Sequence, residues 1–256
     1  MKSLFAFMKK EITEHLRSGR FLVLIIVFTL FGIMNPAIAK LTPWLFETLS
    51  DSLAESGLSV GAVSVDAAMS WTQFFKNIPM GLIVFVLLEG GIFTKEYESG
   101  TLVLALTKGL ERRKVIVSKA LIMALGWSLC YWLCYGITYA YNAYFWDNSI
   151  MHSLAFAAMI WWLFGLWTVM LIVLFSSMAK QSSAVYLGTG GTVLIAYVIN
   201  LFPKLSEYSP AHLMDIAPLT AGIEEPSAYT TAVIISAVLC LVSLAASIPI
   251  FNRKQI

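Results

Sequence analysis

The chain has 256 residues, 59% of them hydrophobic and only 12% charged, with a formal charge of +2. A soluble domain carries roughly 25% charged residues, so this composition excludes an ordinary water-soluble enzyme or binding module and reads as a polytopic, all-α membrane protein. No nucleic acid is expected among its partners. Cys130, Cys134 and Cys240 all lie in apolar runs, which argues against a disulfide framework or a zinc site and for small core residues.

Residues 1–20 have the pattern of an amphipathic helix. Leu4, Met8, Ile12 and Leu16 recur every fourth residue with Phe5 beside them, while Lys9, Lys10, Thr13 and Arg17 take the other side. Such a segment lies in the membrane interface with its cations among the headgroups, or else extends as a solvated helix. Residues 21–39 carry no charge and are long enough to span at about 1.5 Å per residue. Asn35-Pro36 is expected to kink or end this first span. Ala37-Ile38-Ala39 resembles a leader-cleavage site, but the long helical charged region before it favours a retained span.

Residues 40–76 read as a polar loop holding four acids, with Trp44, Leu45, Leu49 and Leu53 able to form a short helix on the membrane. The second span covers about 74–94, interrupted near one end by Glu89 and followed by Gly90-Gly91. The third, 120–146, closes on Tyr139, Tyr141, Tyr144, Phe145 and Trp146, an interfacial aromatic belt. The fourth and fifth cover 153–179 and 185–202, and Gly188, Gly190 and Gly191 would let the fifth pack closely. The 203–229 segment has Pro203, Pro210, Pro218 and Pro226, which predicts broken, dipping pieces rather than one helix. A sixth span covers 230–251. The whole chain reads as one transmembrane domain.

Charge orients these spans. With the N-terminus inside, fourteen of the 17 Lys and Arg fall on inner segments, and only Lys40, Lys76 and Lys204 fall outside. The positive-inside rule therefore gives both termini cytoplasmic in a cell membrane.

Residues 94–119 form the long polar insert on the inner side. It holds Lys95, Lys108, Arg112, Arg113, Lys114 and Lys119 with Glu96, Glu98 and Glu111, yet Leu102 to Leu106 is apolar throughout. A merely solvated loop has no use for such a run, so something should cover it: a partner protein, or lipid with the arginines on anionic headgroups. There is no G-x-x-x-x-G-K-[ST] or H-E-x-x-H, and Gly57-Leu58-Ser59-Val60-Gly61 has the G-x-S-x-G spacing only within the polar loop, without the strand-to-helix setting that motif needs. His15, His152 and His212 are far apart in sequence. No catalytic, cofactor-binding or metal-binding residues are expected. Apart from Lys76 at the outer start of the second span, Glu89 is the one acid or base within the expected spans; a proton- or ion-coupled carrier usually needs several.

Glu96-Tyr97-Glu98-Ser99-Gly100-Thr101-Leu102, then Leu104, Leu106-Thr107, Leu110, Arg112 and Lys119, resembles the signature of ABC-2-type transporter permeases. The order of the whole chain resembles that family too, from the amphipathic first helix to the proline-rich segment before the sixth span. Many members have a proline where Lys108-Gly109 stand here. The resemblance implies the membrane subunit of an ABC exporter, paired with a second permease protomer and bound to two copies of a separate ATPase subunit, which holds ATP and Mg. It implies a coupling helix at about 95–107, with Glu96, Glu98, Gly100, Thr101, Leu102, Leu104, Leu106 and Arg112 as the ATPase-coupling residues. The acids would meet basic rim residues while the leucines fill a groove. Glu89 is read either as a snorkelling interface residue or as part of a gate touching the N-terminal helix or the other protomer. A secondary carrier or channel using Glu89, or an intramembrane enzyme, are the alternative classes. Nothing in the spans selects a cargo.

Overall fold

The computed structural model describes residues 2–55, 65–107 and 109–254, and among these there is no strand. Helix α1 (Lys2–Arg17) turns at Ser18-Gly19 into α2 (Arg20–Glu55), and α3 is Ala67–Glu89. Two short helices follow, α4 (Thr94–Glu98) and α5 (Thr101–Thr107), before the long α6 (Arg112–Phe145). Then come α7 (Leu154–Met178), α8 (Ser182–Asn200), the four-residue α9 (Ala217–Thr220) and α10 (Thr230–Arg253). Helices α2, α3, α6, α7, α8 and α10 are long and apolar enough to cross a membrane. The expected six-span, all-α architecture is therefore present.

Helix α2 does not stop near Ala39. It runs through Pro36 and Pro43 to Glu55, so the expected polar loop from Lys40 is helical in its first part. A proline in a helix interior removes a hydrogen bond and costs about 3 kcal/mol, but neighbouring helices can re-satisfy the freed backbone within a bilayer. Here the residue before Pro36 is the anchor. Asn35 is buried, donates to Thr138 Oγ1 at 3.1 Å and accepts from Asn77 Nδ2 at 2.8 Å. Thr138 in turn donates to the Gly32 carbonyl at 3.1 Å. Three spans are thus pinned at one level. One end of this trio is closed by Lys40, whose Nζ sits 3.7 Å over the Phe145 ring.

Helix α6 is central to the packing, touching α1, α2, α3, α7 and α10. Trp127 fills the centre, edge-on to Phe28 and Phe85, with its indole N–H on the Trp162 carbonyl at 3.1 Å. Gly165 faces that ring; a Cβ there would lie 2.1 Å from it, so α7 approaches α6 only because this residue has no side chain. Of the three glycines in α8, Gly188 alone packs closely, against the Phe175 ring, while Gly190 and Gly191 have nothing within 4 Å. Cys130, Cys134 and Cys240 are buried and unpaired. The proline-rich 203–229 segment is broken into short turns, among them Ser206–Tyr208, Pro210–Met214 and Pro226–Tyr229.

Candidate functional site

The end of the bundle that carries α1, α4 and α5 gathers most of the charge. The apolar stripe of α1 is not the face that packs: Ile12 and Leu16 are exposed, and Phe7 and Glu11 are buried with His15 nearly so. These three recur at every fourth residue, which puts them on one face. That face is charged because it meets charged partners. Lys119, fully buried on α6, donates to Glu11 Oε2 at 2.8 Å and lies 3.0 Å from Glu96 Oε2. Lys10 bridges Glu96 at 2.7 Å and Glu14 at 2.9 Å. Burial opposes the charge on Lys10, but its hydrogen bonds to Glu14 and Glu96 outweigh that and raise its pKa above the ordinary lysine value.

Beside this cluster, His15 Nε2 sits 2.7 Å from Glu89 Oε2 at the end of α3. Glu89 is buried, and its Oε1 has no hydrogen-bond partner among the described residues. The glycine after it makes room for a side chain rather than a backbone: a Cβ on Gly90 would lie 2.3 Å from the Tyr186 ring. The Tyr186 hydroxyl donates to the Leu87 carbonyl at 2.9 Å. The acid at the end of the second span is thus held by the N-terminal helix on one side and walled by α8 on the other.

The turns around α5 depend on glycine. Gly100 has φ +67° and Gly109 φ +87°, left-handed values that L side chains rarely adopt. Proline, fixed near −65°, cannot take the conformation that Gly109 adopts here. Along α5 the side chains divide. Leu102 is buried and Leu106 half-buried, while Thr101, Val103 and Thr107 face outward. Val103, Leu106, Thr107, Leu110, Glu111 and Arg112 line an open groove of about 490 Å³.

Arg112 is tied to the C-terminal end of α10. Its Nη1 donates to the carbonyls of Phe251, Asn252 and Lys254 at 3.0, 3.1 and 2.6 Å. Lys254 caps α7 in the same way, with Nζ on the Ala179 carbonyl at 2.6 Å and on that of Ser176 at 3.3 Å. Cations suit helix C-termini, where carbonyls lack intrahelical partners. Burial, with Lys180 nearby, lowers the Lys254 pKa to about 8.

The sequence-derived residues therefore separate. Leu106 and Arg112 share the groove, with Thr101 exposed close by in α5 and Gly100 forming the turn before it. Glu96 and Leu102 point inward, Glu96 into the ion cluster. The side chains of Glu98 and Leu104 lie outside the described residues, as does Lys108. Sequence reading missed Glu11, His15 and Lys119 as partners. The available signal was an acid and a histidine four residues apart within a basic amphipathic segment, on a face other than the leucine stripe.

A family model described as ABC-2 family transporter protein matches residues 5–256. The chain is also 23% identical over 223 residues, covering 83% of each chain, to the uncharacterized transmembrane protein YxlG of Bacillus subtilis (strain 168).

Proposed function

From the premise that the chain belongs to the ABC-2 transporter family and is a membrane permease of an ABC transporter, we propose that it works as an exporter subunit driven from the groove between α5 and α6. ATP and Mg are held by a separate ATPase subunit, two copies serving a pair of permease protomers. One observation carries the reading. Exposed Val103 lines one open groove together with Leu106, Thr107, Leu110 and Arg112, so a short apolar strip is presented at the end of the bundle where the charge gathers. Glu96 has a different part in this reading from the one its motif implies. Its carboxylate meets Lys10 and Lys119, so it fixes α4 to the bundle and the outward side of α5 meets the ATPase.

The test is Val103→Arg in the co-expressed complex. Val103 is 38% exposed, so the change should leave stability within about 0.5 kcal/mol. A central apolar contact is worth about 2 kcal/mol or more at an interface, so ATPase capture should fall at least about tenfold. Wild-type capture by the variant overturns the docking site.

The orientation belongs to the same reading: the charge-rich end is cytoplasmic, in the cell membrane, as the fourteen-to-three division of basic residues favours. In a background without Cys130, Cys134 and Cys240, a cysteine at Ser227 should react in intact cells with an impermeant thiol reagent. One at Ser99 should not, though both positions are exposed. Labelling at Ser99 reverses the orientation.

Glu89 has a gating role in this scheme. Its contact to His15 links the end of the second span to α1, so α1 and α3 move together or separate only by breaking that pair.

A further inference from the structure

We propose that the open pocket between the end of α6 and the start of α7 binds a small organic cation of the quaternary-ammonium type, held on aromatic ring faces beside the Asp147 carboxylate. The inference goes beyond the permease reading and does not depend on it.

The pocket measures about 420 Å³ and lies at the opposite end of α6 from Arg112. Tyr135 and Tyr139, one turn apart on α6, line it together with Trp146, Asp147 and Leu154. The two tyrosine rings are stacked, with centroids 6.1 Å apart and planes at 29°. Trp71 of α3 packs on both, 5.1 Å from Tyr135 and 6.4 Å from Tyr139 between centroids. Its indole N–H donates to Asn148 Oδ1 at 2.9 Å, and Asn148 Nδ2 donates to the Tyr139 carbonyl at 3.3 Å. The rings and the turn that carries Asp147 are therefore fixed to one another before a ligand arrives, which lowers the ordering cost of binding.

Charge decides the class of ligand. Among the described residues that line the pocket none is Lys, Arg or His, and Asp147 is the one acid. Hydrogen bonds from the Ser149 hydroxyl and backbone N–H hold the Asp147 carboxyl below the usual carboxylate range, so it is an anion at neutral pH. Each of its oxygens accepts one of these bonds and keeps a further acceptor site. Among the described residues no cation stands within ion-pair distance of it. The positive pole at the start of α7 is offset by the negative pole at the end of α6, which leaves the carboxylate to set the sign. Ring faces attract cations as well. The same end of the molecule already holds an ammonium in this way, since Lys40 Nζ lies over Phe145, the neighbour of Trp146. A metal ion needs more hard oxygen ligands than one carboxylate supplies. A quaternary ammonium needs no hydrogen-bond acceptor, only ring surface and a counter-charge.

The test titrates choline into the purified full chain in a maltoside detergent, followed by calorimetry, with neohexyl alcohol as its uncharged carbon isostere. Wild type should bind choline on the order of tenfold tighter than the isostere. Tyr139→Leu, at a position 46% exposed, should weaken choline binding about tenfold, while Tyr139→Phe keeps the ring and most of the affinity. Asp147→Asn keeps an acceptor for Ser149 and should cut the preference for choline over the isostere at least about threefold. Unchanged melting of each variant separates these effects from misfolding. Repeating the titration in nanodiscs identifies the source of the cation. Loss of choline binding in dioleoyl phosphatidylcholine but not in dioleoyl phosphatidylglycerol supports the site as one for a lipid headgroup, and equal binding in both supports it as one for a free cation. Equal affinity of wild type for choline and the isostere overturns the proposal. So does choline binding undiminished in Tyr139→Leu or in Asp147→Asn.

Discussion

Lys119→Met should lower the stability of the folded chain by about 3–5 kcal/mol, the usual cost of removing one partner from a buried ion pair. The loss arises less from the missing attraction than from what stays behind. Glu11 and Glu96 would face each other across the vacated site, and Lys10, its side chain 47% exposed, would be the remaining cation within reach. Desolvated carboxylates without a counter-charge are the expensive species in a low-dielectric interior. The melting temperature, followed through the 8 tryptophans, should fall by roughly 10 °C. Two controls give the number its meaning. Lys95→Met, at an exposed position one residue from Glu96, should stay within about 0.5 kcal/mol of wild type. Adding Glu11→Gln to Lys119→Met should recover part of the loss, because it removes a stranded charge. A Lys119→Met protein that melts with wild type would mean that the cluster does not hold α1, α4 and α6 together.

The second large effect is expected at Glu89, and there the contrast between two substitutions is the informative part. Glu89→Gln keeps the shape and an acceptor for His15 Nε2, now at 2.7 Å from the carboxylate, but removes the charge. Glu89→Leu removes the acceptor as well. If the pair latches α1 to the end of α3, the leucine variant should release α1, and trypsin should cut after Arg17 about tenfold faster than in wild type. The tenfold figure corresponds to about 1.4 kcal/mol of lost attachment, within the range of a hydrogen bond to a charged group. The glutamine variant should keep α1 in place, and the assembled complex should still hydrolyse ATP while its basal rate departs from wild type. His15→Phe should reproduce the leucine result, and the double variant should add little, since the two residues act as one unit. Unchanged cleavage in Glu89→Leu, together with wild-type hydrolysis in Glu89→Gln, would leave Glu89 as an interface residue without a gating role.

Much of this protein could be read from its residues in order. Composition alone placed it in a bilayer, and uncharged runs of nineteen or more residues marked five of the six spans, because a helix without water must be apolar along its length. The Gly100-Thr101-Leu102 motif located the short helices between the second and third spans, and four prolines marked the broken segment before the sixth. These features are local: each depends on a residue and its near neighbours. The end of α2 did not follow from Asn35-Pro36, because the Gly32 carbonyl, which a proline four residues on leaves without its intrahelical donor, accepts instead from Thr138 on another span.

The arrangement of charge at the α1 end was decided by tertiary structure. In a water-soluble protein the leucine stripe of such a helix would turn to the core. In a membrane that rule loses its force, because lipid accepts Ile12 and Leu16 as readily as a core does. What fixes the rotation of α1 is therefore polar. Glu11 and His15 turn inward to Lys119 and Glu89, partners that lie 108 and 74 residues away in the chain. Sequence determined that Glu96 and Arg112 stand at the two ends of the loop between α3 and α6. Only the packing of α1 and α10 decided that Glu96 meets Lys10 and Lys119, and that Arg112 donates to the carbonyls closing α10, because a charge in a dry setting takes whichever partner the fold brings within hydrogen-bond reach.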